Sequence, residues 1–179
     1  LFRSMRDKTV STVPFVTCDL LDDHPEKDIQ VVTPSMDGKF FKSYGARKSF
    51  GGQAVTVKCF EDNSRVKELL ATEGAGKVLV VDGGASMRCA LMGDLIAESA
   101  VKNHWNGVII YGCVRDVDAI AALDLGVHAL ASIPKKSNRK GAGETDIQLE
   151  FGGVSIQSGD YVYADNNGIV IAKEPLVAL

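Results

Sequence analysis

The sequence predicts an α/β fold with a parallel β-α-β-α-β centre and an antiparallel β tail. Three observations carry that reading. Val78-Leu79-Val80-Val81 and Val108-Ile109-Ile110-Tyr111 are continuous apolar runs, the pattern of strands buried on both faces. Between and after them, apolar residues recur at helical spacing. From Ile147 onward the apolar runs shorten, and Gly152-Gly153, Ser158-Gly159-Asp160 and Asp165-Asn166-Asn167-Gly168 separate them.

In chain order, Phe15 to Leu21 can start a short helix that Asp22-Asp23-His24-Pro25 ends. Gln30-Val31-Val32 reads as a short strand before Pro34. Gly45 to Gly52 is turn-rich. Ala54 to Phe60 alternates, with Val55, Val57 and Cys59 on one face and Thr56 and Lys58 on the other, which predicts a half-buried strand. Asp62-Asn63-Ser64 supplies capping side chains for a helix carrying Val66, Leu69 and Leu70, and Gly74 and Gly76 stop it. The Val78 strand follows. Asp94 to Lys102 reads as a helix with Ile96, Ala97, Ala100 and Val101 inward. After the Val108 strand, Asp116 to Leu123 reads as a helix and Gly126 to Leu130 as a short strand. The crossovers are expected to be right-handed. Ile147 to Phe151, Val154 to Ile156, Tyr161 to Tyr163 and Ile169 to Ala172 are the strands of the tail.

A length of 179 residues suits one domain, 1–179. At 45% hydrophobic and 24% charged residues, a packed core is expected and disorder is not. A net charge of −3 argues against nucleic-acid binding. The one basic run, Lys135 to Lys140, reads as a solvated loop before it reads as an RNA contact. The four cysteines, Cys18, Cys59, Cys89 and Cys113, show no close-pair spacing, so zinc is disfavoured and a reduced, cytoplasmic protein is expected. No apolar stretch reaches the roughly 18 residues of a membrane span, and no secretory signal is visible. The chain begins at Leu1 rather than a methionine, which leaves a preceding targeting segment open.

Asp94, Arg115 and Asp116 are the candidates for chemistry. Neighbouring parallel strands would bring all three to one sheet edge, where open α/β sheets bind ligands. Each aspartate is explained structurally as a helix-start residue. The same geometry makes an anion site, with the N–H groups of Leu95 and Ile96 as donors. Arg115 suits bidentate carboxylate binding, and a salt bridge to Asp116 or Asp118 is the bland alternative. Gly83-Gly84 lacks the GxGxxG spacing, so NAD is disfavoured, and no P-loop or GxSxG motif is present. His24, His104 and His128 have no nucleophile at recognisable spacing and read as structural.

Gly93-Asp94-Leu95-Ile96-Ala97-Glu98-Ser99 and Gly107 to Asp116, with Phe50-Gly51-Gly52-Gln53, Val80-Val81-Asp82-Gly83-Gly84 and Gly159-Asp160-Tyr161-Val162-Tyr163-Ala164-Asp165, resemble one family. That family groups the class II 4-hydroxy-4-methyl-2-oxoglutarate aldolases with the regulator of ribonuclease activity A proteins. The resemblance runs from about residue 18 to 175. It implies a swivelling β/β/α fold, a homotrimer or hexamer, and sites near subunit interfaces. It implies that Arg115 binds a pyruvyl carboxylate and Asp116 holds Mg²⁺ or Mn²⁺, largely through waters. Asp94 would orient a metal water, and Gly93 to Ile96 would bind the pyruvyl group. The expected activity is pyruvate formation from 2-oxo acids, with oxaloacetate decarboxylation. The alternative is a non-catalytic regulator that binds an RNase E-type endonuclease or an RNA helicase. The ring-cleavage aldolases of this family carry a longer C-terminal region that supplies an acidic residue to the neighbouring subunit, and that residue is not identified in this sequence.

Overall fold

The structure, a computed structural model, describes residues 14–33 and 38–177; Pro34, expected to end the first short strand, lies outside them. The chain opens with α1 (Thr17–Asp22), β1 (Ile29–Val31), β2 (Lys42–Ser43) and β3 (Phe50–Lys58). Next come α2 (Ser64–Leu70), β4 (Val78–Asp82), β5 (Ala90–Met92), α3 (Asp94–Lys102) and β6 (Gly107–Val114). Then follow α4 (Val117–Ala121), β7 (Gly126–Ser132), β8 (Glu144–Thr145), β9 (Leu149–Phe151), β10 (Val154–Ile156), β11 (Tyr161–Asp165) and β12 (Gly168–Ala172).

One large mixed sheet runs β1-β12-β11-β3-β4-β6-β7-β2, with β5 beside β6 and β8 beside β3. Its centre, β3-β4-β6-β7, is parallel, and β11 and β12 continue it antiparallel from β3. Alternation along β4 shows the layering. Leu79 and Val81 face a core shared with Val66 and Leu70 of α2, Ala97 and Ala100 of α3 and Ile120 of α4. Val78 and Val80 face the opposite way, into a core closed by Leu149, Phe151 and Ile156 of the β9–β10 hairpin. Helices therefore cover one face and a small second sheet covers the other, which is why β4 and β6 need apolar residues on both sides.

The strand expected from Ala54 starts earlier and is buried on both faces. Phe50 to Gly52 belong to β3, where they had read as turn. Thr56, expected on a solvated face, is fully buried, and its hydroxyl donates to the Ile147 carbonyl at 2.7 Å. A side chain at position 52 would run into the Gly76 carbonyl, which is why glycine sits inside this strand. β5, three residues without alternation, is absent from the sequence reading.

His128, on β7, is 3% exposed, and neither ring nitrogen has a partner among the described residues. Its ring meets Phe50 edge-on at 5.3 Å. Burial pushes its pKa down to about 4; Asp165 works against that shift and Lys48 with it. The folded pKa lies below the unfolded value of about 6.5, so only the neutral imidazole suits the fold. Stability is then expected to decline as pH falls from about 6.5 toward 4, by about 3 kcal/mol at most. Chemical denaturation across that window checks it. His128→Leu should flatten the decline, and a wild-type curve already flat there would show that the imidazole reaches water.

Candidate active site at the β5 and β6 strand ends

β4 and β6 are neighbouring parallel strands, with Val80 opposite Ile109 and Val81 opposite Ile110. Asp94 reaches the site by a route the sequence does not show. β5 pairs in parallel with the end of β6, Met92 opposite Val114, and α3 starts immediately after it. The Arg115 N–H donates to the Met92 carbonyl at 3.0 Å, which locks the two exits together.

Glycine between them lets the Arg-Asp pair pack close. A Cβ on Gly93 would stand 2.5 Å from Asp116 Oδ2 and 3.3 Å from Arg115 Cγ, so any side chain here would displace the Arg-Asp pair. Asp116 sits in the left-handed region, φ 54° and ψ 41°, which aspartate and asparagine tolerate better than most residues. Its side chain makes no capping hydrogen bond to α4, which is shorter than expected and begins at Val117. Instead Asp116 Oδ2 turns across the site, accepting from the Asp94 N–H at 3.3 Å and lying 3.6 Å from Arg115 Nε. Asp116 therefore does not cap its own helix, α4; the helix-start amide it accepts from is that of α3. Asp94 heads α3, and its Oδ1 accepts from the Leu95 N–H at 2.8 Å. That N–H, expected to be free for a ligand, is thus occupied. Ile96 keeps the first-turn amide without an acceptor among the described residues, and the Leu95 side chain is 75% exposed.

These residues line a cavity of about 430 Å³ together with Lys136, Ser137, Asn138 and Arg139. The basic run is the solvated loop its composition suggested, and it also lines the cavity. Its side chains are exposed, but its backbone is pinned at both ends. The Ala90 N–H donates to the Lys135 carbonyl at 2.8 Å, and the Asn138 N–H to the Glu61 carbonyl at 2.8 Å. The Lys140 N–H donates to Asp62 Oδ2 at 2.7 Å. Lys136 and Arg139 are the site residues that sequence reading missed; the signal available was four basic residues in six beside Pro134.

The donors for a cation are hard oxygens. Among the described residues no cluster of three His, Cys, Asp or Glu side chains could hold a metal. The Asp116 carboxylate is 41% exposed at the cavity. One or two carboxylates in a cavity with room for waters suit Mg²⁺ or Mn²⁺, which keep several waters, and not a closed zinc site.

A βαβ-centred mixed sheet makes this an α/β protein, and its Arg-Asp pair lies at the strand ends, where open α/β sheets bind ligands. The RraA-like family profile (Aldolase/RraA) matches residues 17–171, and the chain belongs to that family. A protein of Acinetobacter baylyi, provisionally named 4-hydroxy-4-methyl-2-oxoglutarate aldolase, is 77% identical over 167 residues, covering 93% of this chain and 98% of its own length. The solved structure of the RNA-processing inhibitor RraA from Thermus thermophilis is 40% identical, with a TM-score of 0.82 over 91% of this chain and 95% of that one. A Geobacillus kaustophilus structure named S-adenosylmethionine:2-dimethylmenaquinone methyltransferase is 43% identical, with a TM-score of 0.83 over 90% and 97%. Three names on one fold leave the activity to be argued from the site.

Proposed function

We propose that this protein is a divalent-metal-dependent lyase. It releases pyruvate from 2-oxo acids of the 4-hydroxy-4-methyl-2-oxoglutarate type by retro-aldol cleavage, and it decarboxylates oxaloacetate. The observation that carries this reading is the convergence of Arg115, Asp116 and Asp94 on one cavity, around a glycine on which a side chain would press against the Arg-Asp pair. The name carried by the 77% identical relative supports it.

The Arg115 guanidinium takes the carboxylate next to the 2-oxo group, as its planar fork suits. Asp116 would hold Mg²⁺ or Mn²⁺, largely through waters. When bound, the ion polarises the 2-oxo carbonyl. Cleavage sends the C3–C4 electron pair toward the 2-oxo group, and the Arg115 charge stabilises the resulting enolate. Asp94 Oδ1 accepts from the Leu95 amide, which leaves Oδ2 to take the proton of the 4-hydroxyl through water and to return a proton to C3 of the enolate, giving pyruvate. Both reactions share the enolate, which is why one site serves both. We place the protein in the cytoplasm, as a homotrimer or hexamer. Its described thiols are unpaired, and no helix among the described residues is long and apolar enough to cross a membrane.

A second reading, a non-catalytic inhibitor of an RNase E-type endonuclease, is favoured by the 40% identity to the RNA-processing inhibitor. It makes no demand on Arg115 or Asp116. Pyruvate release from oxaloacetate with Mg²⁺, measured against EDTA, separates the two. The lyase gives a rate above catalysis by free metal, and EDTA removes it. A background rate from folded protein would transfer the assignment to the inhibitor, and recovery of RNA-degradation partners in a pull-down would then decide it.

A further inference from the structure

We propose that Met87 is a redox-sensitive cover over Cys113: a peroxide oxidises its thioether to the sulfoxide, and the side chain then leaves the thiol and loosens β5, the strand that delivers Asp94. The proposal concerns sulfur chemistry outside the cavity and makes no use of the lyase reading.

The two methionines among the described residues differ in access. Met87 is 37% exposed and Met92 is 1% exposed. The Met87 sulfur accepts from the Cys113 S–H at 3.4 Å, so an accessible thioether lies directly against a buried thiol. Burial pushes the Cys113 thiol up, which keeps it a weak donor and a poor nucleophile. The loop carrying Met87 is fixed ahead of it. The Gly83 and Ala85 N–H groups donate to the Tyr111 carbonyl at 3.0 and 3.1 Å, and the Ser86 hydroxyl donates to Glu61 Oε1 at 2.7 Å. Behind it, β5 begins at Ala90, opposite Cys113, and its register slips between Ala90 and Met92. The sulfur contact thus sits at the entrance of a short, irregular strand.

The step balances. A sulfur lone pair attacks one peroxide oxygen, the O–O bond breaks as the S–O bond forms, and the other oxygen leaves as water or an alcohol. Sulfur loses two electrons and the peroxide gains them. The new oxygen is a strong acceptor, and against the buried face it meets only the weak Cys113 S–H. Turning to solvent satisfies it and carries the side chain off the thiol. A methionine on a free surface loop has no such contact to lose. Sulfoxide reductases reverse the oxidation, so the change is a switch rather than damage.

Hydrogen peroxide treatment of the folded full chain, read by peptide mass mapping, N-ethylmaleimide labelling and amide hydrogen exchange, tests this without turnover. One oxygen should appear on Met87 and none on Met92. Cys113 should then alkylate several-fold faster, and the amides of residues 90–92 should exchange faster. A methionine sulfoxide reductase should restore both rates. In Met87→Leu, peroxide should change neither. A Met87 that peroxide leaves intact would overturn the switch. So would an oxidised Met87 with Cys113 still shielded and β5 unchanged. Peroxide effects that persist in Met87→Leu would also overturn it and point to another oxidised group, such as the exposed Cys18 thiol.

Discussion

Asp116→Asn is expected to lower metal-dependent pyruvate release by a factor on the order of 10²–10³, the scale of a lost charge-stabilising group. Asparagine is the informative replacement. Position 116 is left-handed, at φ 54°, and asparagine keeps both the size and the tolerance for that backbone; alanine would add strain of about 1 kcal/mol to the loss of charge. The substitution thus removes the anion and little else. It also turns an acceptor near Arg115 into a group with half its accepting capacity, so the 3.6 Å contact weakens. Mn²⁺ affinity, followed by paramagnetic relaxation of water, should fall in parallel while thermal unfolding stays near wild type. A folded Asp116→Asn protein with undiminished Mn²⁺ affinity and turnover would remove Asp116 from the site and leave it as a residue of the β6–α4 turn.

The parts of this argument differ in how far sequence alone carries them, and the differences have causes. β4 and β6 are legible because sheet strands covered on both faces need apolar residues at consecutive positions, and Val78 to Val81 and Val108 to Ile110 provide them. The approach of Asp94 to Arg115 is legible only as a consequence of adjacent strands. Its actual cause, β5, is three residues long and carries no periodicity that could announce it. β3 misleads for a different reason. Thr56 and Gly52 look like solvent and turn residues, yet one is buried with its hydroxyl bonded and the other is demanded by a close backbone approach. The wall formed by Lys136 to Arg139 is invisible because what holds it lies far away in the chain. Asp62 and Ser64 bind the backbone of residues 140 and 141 across 78 and 77 positions. No local pattern encodes such a tie.

That tie yields the second large effect. Asp62 is 3% exposed, and its carboxylate accepts from the Ser64 N–H at 2.9 Å, the Ser64 hydroxyl at 2.6 Å and the Lys140 N–H at 2.7 Å. Burial works to raise its pKa, but these bonds and one from the Ala142 N–H overcome it and hold the group at about 2. Asp62→Ala is expected to cost about 3–5 kcal/mol, because several buried donors lose their acceptor at once. The folded pKa lies below the unfolded value of about 3.9, so the stabilisation is fully present above that pH and disappears as pH falls through about 2. Urea unfolding of the wild type should therefore lose about 2 kcal/mol between pH 4 and pH 2 from this group, and Asp62→Asn should be insensitive there. The same substitution links fold to site. Without its anchor the backbone at 138–141 should exchange its amide hydrogens faster. If Asp62→Asn keeps wild-type stability and wild-type amide protection at Asn138 and Lys140, the wall is held by its bonds to Glu61, Asn63, Ser64 and Ala90, and the carboxylate serves only the start of α2.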